Sequence, residues 1–238
     1  MRNENSNQAR VVPAKHGGFG DMTHSNTQSA LQTDAASVLK NTYMLLGMTL
    51  AFSAFTAFLT VDLPFNLFLH FGVLIGALVI SFMMSKAANS GWGIVLAFAF
   101  TGLLGVTIGP IVGHYIGMGG ADAVTSALGL TAFAFLGLSG FALITKKDFS
   151  FLSSFLAVGF FVILGAVVLS FFIQSSVFSL AISAAIVLFA SAAILYETGA
   201  IVNGGQTNYI LAAVSLYASI YNMFMSLLHI LMALGGEE

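Results

Sequence analysis

Glu197 is the only charged residue between Asp148 and Glu237, and it closes the apolar run 177–196. A lone carboxylate beside hydrocarbon is costly. It either reaches the polar interface at a helix end or faces a protein interior that pairs with it. Two patterned segments lead to it. Ser215, Ser219, Asn222, Ser226 and His229 are spaced by 4, 3, 4 and 3 residues, which puts all five on one helix face. Ser179, Ser183, Ile186, Ala190, Ala193 and Glu197 follow the spacing 4, 3, 4, 3, 4 in the preceding segment. Joined by the short turn Asn203-Gly204-Gly205, these faces are expected to meet. One chemistry open to them is conduction: a narrow hydrated route for calcium or a proton. Glu197 would be its pH-sensing mouth, Ser215, Ser219, Asn222 and Ser226 its lining, and Lys86 the cationic partner. The other use of the same residues is helix glue, where each interhelical hydrogen bond contributes about 0.6 kcal/mol. Spacing alone leaves both open.

Other reactive groups are sparse. Gly137-Leu138-Ser139-Gly140 has the GxSG form of a serine nucleophile, which needs a histidine base within hydrogen-bond reach. His229 is the one candidate on another segment. Short Gly and Ser motifs arise readily in a chain with 25 glycines, so no catalytic residue is assigned and an enzyme is not expected. His70 and His114 have no acidic or second histidine neighbour at metal-ligand spacing, so no metal site is assigned. The absence of cysteine excludes disulfides and thiolate chemistry. No cofactor is implied.

The elements that must position these residues are membrane helices. The chain of 238 residues is 58% hydrophobic and only 7% charged, against about 25% charged in soluble domains. A net charge of −2 without clustered Lys or Arg gives no case for nucleic acid. A bilayer core needs about 20 apolar residues per helix. Seven stretches qualify: 41–60, 64–85, 92–115, 122–144, 151–173, 177–197 and 208–234. The expected fold is therefore all-α, a compact bundle of seven transmembrane helices with short turns. Pro64 sits at a helix start, where its missing N–H costs little. Pro110, amid Gly102, Gly105, Gly109 and Gly113, predicts a kink in a tightly packed third helix.

All seven basic residues fall on one side: Arg2, Arg10, Lys15 and Lys40 before the first span, Lys86 after the second, Lys146 and Lys147 after the fourth. The positive-inside rule makes that side cytoplasmic, and seven crossings put the C terminus outside, in the periplasm of a bacterial inner membrane. Residues 1–37 form a polar segment without the apolar core of a secretory signal. Its low apolar content predicts a disordered cytoplasmic tail ahead of a membrane domain at 38–238. Extended, residues 1–35 would reach on the order of 100 Å, at roughly 3.3 Å per residue.

Several stretches together are specific. They are Leu39-Lys40-Asn41-Thr42-Tyr43, Ala97-Phe98-Ala99-Phe100-Thr101-Gly102, Gly109-Pro110-Ile111, Lys146-Lys147-Asp148-Phe149, Ala193-Ile194-Leu195-Tyr196-Glu197-Thr198, Gly204-Gly205-Gln206-Thr207-Asn208-Tyr209, and Ser215-Leu216-Tyr217 with Tyr221-Asn222. By these the chain resembles the Bax inhibitor-1 family, most closely its bacterial YccA branch, over the whole membrane part. The resemblance implies six helices around a central one. It also implies a partner, the membrane ATP-dependent protease FtsH, which YccA-like proteins restrain as slowly extracted substrates gripped by the N-terminal tail. Other members resemble pH-sensitive calcium leak channels gated by an acidic pair on the sixth and seventh helices. Glu197 falls on the first acidic position and Ser219 on the second, so one carboxylate of that pair is missing here. Two close carboxylates share a proton and titrate as a pair, which Glu197 with Ser219 does not do. The basic position associated with the pair falls near Ser85 or Lys86.

Overall fold

The apolar runs form helices, and the chain turns where Gly, Asn, Ser and Pro cluster. The computed structural model describes residues 19–64 and 66–235, with side chains from 34 onward except at 69. The helices are α1 (Phe19–Thr60), α2 (Leu67–Ala87), α3 (Gly91–Gly117), α4 (Ala121–Thr145), α5 (Leu152–Ser170), α6 (Ser176–Val202) and α7 (Tyr209–Gly235). Each holds a stretch long and apolar enough to cross a membrane, where a helix satisfies its backbone internally. No strand occurs among the described residues.

Four boundaries differ from the expected ones by three residues or more, one of them the end of α5, at Ser170 rather than 173. α1 starts at Phe19, so helix is drawn through part of the segment expected to be an unstructured tail; residues 1–18 of that tail lie outside the described residues. α2 starts at Leu67 rather than Pro64. α6 runs on to Val202, five residues past the expected end, because Asn203 caps it: its backbone N–H and its side-chain amide both donate to Gly199 O, at 3.0 and 2.9 Å. That extension draws Glu197 into the helix body.

α7 is the central helix. It packs against α6, α4, α1 and α3 and buries Ala212, Leu216, Met223 and Leu228 completely. α2 leans on α3 and α5 on α6, and no residue of α5 is buried. A helix that is apolar all round and unburied by protein is one whose solvent is lipid.

The closest seam joins α1 to α3. A Cβ added at Gly105 would meet Ser53 O and Thr56 Oγ1, and one at Gly109 would meet Ala57 O and Thr60 Oγ1. Glycine at this four-residue spacing lets the two backbones touch, the usual device of transmembrane contacts. Thr56 Oγ1 donates to Gly102 O at 3.2 Å across the seam. α3 continues through Pro110 as one helix, although proline leaves the carbonyl four residues back without its usual donor.

Candidate functional site

The α6–α7 turn is a hub of amide groups. Gly204 takes a left-handed φ of 74°, which a side chain would resist. The reversal places Gly205 N and Gln206 N on Ala200 O at 2.8 and 3.0 Å. Asn208 then starts α7: its Oδ1 accepts from Ile210 N and Leu211 N at 3.0 and 3.1 Å, an N-cap. Its Nδ2 donates to Ala88 O and Asn89 Oδ1 at 3.1 and 2.8 Å. Asn203 Nδ2 also reaches Lys147 O at 3.1 Å. The turn thus clasps the α2–α3 turn and the α4–α5 loop, so the α6–α7 turn shares the end of the bundle that carries Lys86, Lys146 and Lys147.

Glu197 lies under this hub. It is 7% exposed, and Gln206 Nε2 donates to its Oε1 at 3.3 Å. The Ser215 hydroxyl faces the same carboxylate. Gln206 is itself held by Asn208 N, which donates to Gln206 Oε1 at 3.1 Å. Lys86 is exposed, and among the described residues no ion pair joins it to Glu197. The expected partner is replaced by neutral amide and hydroxyl donors, which hold a carboxylate without the desolvation of a second ion.

The predicted face of α7 turns toward α6, though not as a sealed stripe. Ser219 is buried and donates to Ser215 O at 3.0 Å, within its own helix. Ser226 is buried, Ser215 and His229 are half-buried, and Asn222 is exposed midway along the central helix. An exposed amide at that depth means that α6 does not cover this face along its whole length. At the far end His229 Nδ1 and Ser183 Oγ lie 2.8 Å apart. Ser183 Oγ also lies 3.1 Å from Ser179 O, an acceptor within its own helix.

The GxSG pair is not brought together. Ser139 lies 3.4 Å from Thr198 Oγ1 at the lysine-bearing end, where Tyr43 OH lies 3.5 Å from the same hydroxyl. His229 is near the opposite end of α7. No group of three or more His, Asp or Glu side chains fit to hold a metal ion occurs among the described residues.

Gln206 and Asn208 are the site residues that spacing missed, and the partner of Ser183 is the contact it missed. Gln206 and Asn208 were readable only as turn chemistry after Gly204-Gly205. Their reach to Glu197 and to Asn89, nine and 119 residues away, follows from the reversal and the packing. Ser183 was on the expected α6 face, and its pairing with His229 follows from the register of α6 against α7.

The model of the family described as "Inhibitor of apoptosis-promoting Bax1" matches residues 35–236. An uncharacterised protein of Pseudomonas aeruginosa is 50% identical over 217 residues, covering 90% of this chain and 96% of its own. The Modulator of FtsH protease YccA of Escherichia coli K12 is 47% identical over 194 residues, covering 82% of this chain and 89% of its own. An uncharacterised membrane protein of Vibrio cholerae is 42% identical over 216 residues, covering 90% of this chain and 96% of its own. With seven membrane-length helices and a family match over the whole described bundle, the chain is a multi-pass membrane protein and belongs to the Bax inhibitor-1 family.

Proposed function

We propose that this chain is an inner-membrane modulator of an FtsH-type ATP-dependent protease, acting by binding rather than by catalysis, with its N terminus in the cytoplasm and its C terminus in the periplasm. The observation that carries the reading is the 47% identity to the E. coli modulator over 82% of this chain. The polar segment 1–37, ahead of the first span, is the handle the protease would grip, and the clasped turns at the lysine-bearing end make a firm bundle to extract. Deleting residues 2–30 is expected to slow degradation of this protein by the protease and to strengthen its inhibition of other substrates. Unchanged turnover of the truncated protein overturns the tail-as-handle reading.

A second reading, an ion or proton leak along α7, is favoured by one observation. Asn222 is exposed in the middle of the central helix while Glu197, on the neighbouring α6, is buried near one end of the bundle. In liposomes Glu197→Gln would then change cation flux and its pH dependence. Flux equal to the parent's, or absent from both, disposes of it. Ser139→Ala is expected to leave protease modulation intact, in keeping with a non-enzymatic role.

A further inference from the structure

A cavity of about 610 Å³ opens on the side of the bundle between α1 and α4, with α3 and α7 as its floor. We propose that it is a binding site for one acyl chain of a phospholipid from the leaflet opposite the lysine-bearing end. The space exists because the lining is small where bulk would close it, at Ala54, Ala57, Gly109 and Ala132.

The lining decides the chemistry of the occupant. Four hydroxyl groups border the cavity, and each has its proton committed elsewhere. Ser53 Oγ lies against Tyr217 OH, which donates to Thr101 O at 3.2 Å, so Ser53 is the donor of that pair. Thr107 Oγ1 donates to Leu104 O at 2.7 Å, so the 3.0 Å contact to Tyr221 OH takes the tyrosine's proton. Thr131 Oγ1 donates to Ala127 O at 2.7 Å. No charged residue lines the cavity. It therefore presents hydrocarbon and no free donor. Water there would find no donor and only the remaining lone pairs of those hydroxyls along an otherwise apolar lining, and an empty cavity would forfeit the dispersion contacts of its lining.

The dimensions choose between a lipid chain and a helix. The α1 lining runs from Leu50 to Val61, about 16 Å at 1.5 Å per residue. That is about half of the roughly 30 Å hydrocarbon thickness. The cavity starts near the helix ends at Val61, Ile116 and Val124, away from the lysines, and stops at Leu50 and Phe135 near mid-bundle. An acyl chain spans one leaflet, from headgroup to midplane, and fits that length. A partner's transmembrane helix must cross both leaflets, and this cavity ends halfway.

The test uses the full chain in nanodiscs containing a phospholipid with a diazirine in one acyl chain, and maps the photoadducts by mass spectrometry. Adducts are expected at residues of 50–61 and 128–136, and to resist dilution with unlabelled lipid better than those on the lipid-bathed face of α5. Ala54→Phe with Ala132→Phe should lose the cavity adducts and keep the α5 adducts. If that pair fails to fold, Ala54→Leu alone should reduce the cavity adducts selectively. Equal labelling of parent and variant overturns the proposal, as does labelling no richer in the cavity than on α5. A free diazirine fatty acid that displaces the phospholipid overturns the assignment to phospholipid. A photoreactive residue at Ala57 that captures protein instead of lipid overturns it in favour of a partner helix.

Discussion

Alanine at Gly105 tests the packing that holds the first helix in place. Its Cβ would occupy space filled by Ser53 O and Thr56 Oγ1. The first is backbone and the second is a short side chain whose one proton is shared between Ser53 O at 2.9 Å and Gly102 O at 3.2 Å, so neither swings aside. α1 and α3 must separate, and overpacking of this kind costs about 1–3 kcal/mol. Separation also stretches the Thr56 to Gly102 bond, a further loss of about 1 kcal/mol. Alanine returns about 1 kcal/mol of helix propensity, leaving a net loss of about 1–3 kcal/mol for the single change. With Gly109→Ala added, the loss is expected to grow, since Ala57 O and Thr60 Oγ1 block that Cβ in the same way.

The control lies on the same helix pair. Nothing stands within 4 Å of a Cβ at Gly47 in α1, so Gly47→Ala should keep the propensity gain and stabilise by up to about 1 kcal/mol. Trp92, the only tryptophan, sits in the first turn of α3 and reports unfolding in mixed micelles through its fluorescence. The two substitutions should move the midpoint in opposite directions, with a gap of about 1–4 kcal/mol between them. A Gly105→Ala protein as stable as Gly47→Ala would refute the claim that backbone contact, rather than composition, put glycine there.

The clasp and the buried hydroxyls give further tests. Asn208→Ala removes an N-cap and the two bonds to Ala88 and Asn89, so a loss of about 1–2 kcal/mol is expected by the same unfolding assay. Thr42 Oγ1 is the one fully buried side-chain polar atom without a hydrogen-bond partner among the described residues. Thr42→Val should therefore stabilise, by about 1 kcal/mol. Gln206→Leu leaves the Glu197 carboxylate without its amide donor and should destabilise by about 1–3 kcal/mol. Gln206→Glu should be worse still, because it sets a second carboxylate against the first.

Hydropathy made the seven helices legible, since lipid leaves so few ways to satisfy a backbone. Spacing made the α6 and α7 faces legible, and the two helices do pack on one another. What periodicity does not carry is the depth and partner of a given side chain. For Glu197 the end of the apolar run left two placements open, a helix-end interface or a protein interior. The helix continues through Thr198, Gly199 and Ala200 because Asn203, not Glu197, caps it. Lys86 read as its partner because both lie at the same end, and Lys86 is exposed while Gln206 makes the contact. Asn222 read as interior because its neighbours at three- and four-residue spacing, Ser219 and Ser226, are interior. Its exposure depends on how the neighbouring helices cover α7, a property of helix packing that no one segment encodes.

The arrangement around Glu197 also bears on which activity fits this chain. A gate built on two carboxylates works because their repulsion in the ionised state opposes their shared proton in the other. Here the second position is Ser219, whose hydroxyl is held on the Ser215 carbonyl of its own helix, and the facing groups are the amide of Gln206 and the hydroxyl of Ser215. Ionised, Glu197 has donors already in place. Such a site ties a turn to a helix more readily than it switches one. The turn it ties also holds the α2–α3 and α4–α5 connections. On the function proposed above, the protease would pull from this end of the bundle, and a tie of this kind fits a slowly extracted modulator better than a gated leak.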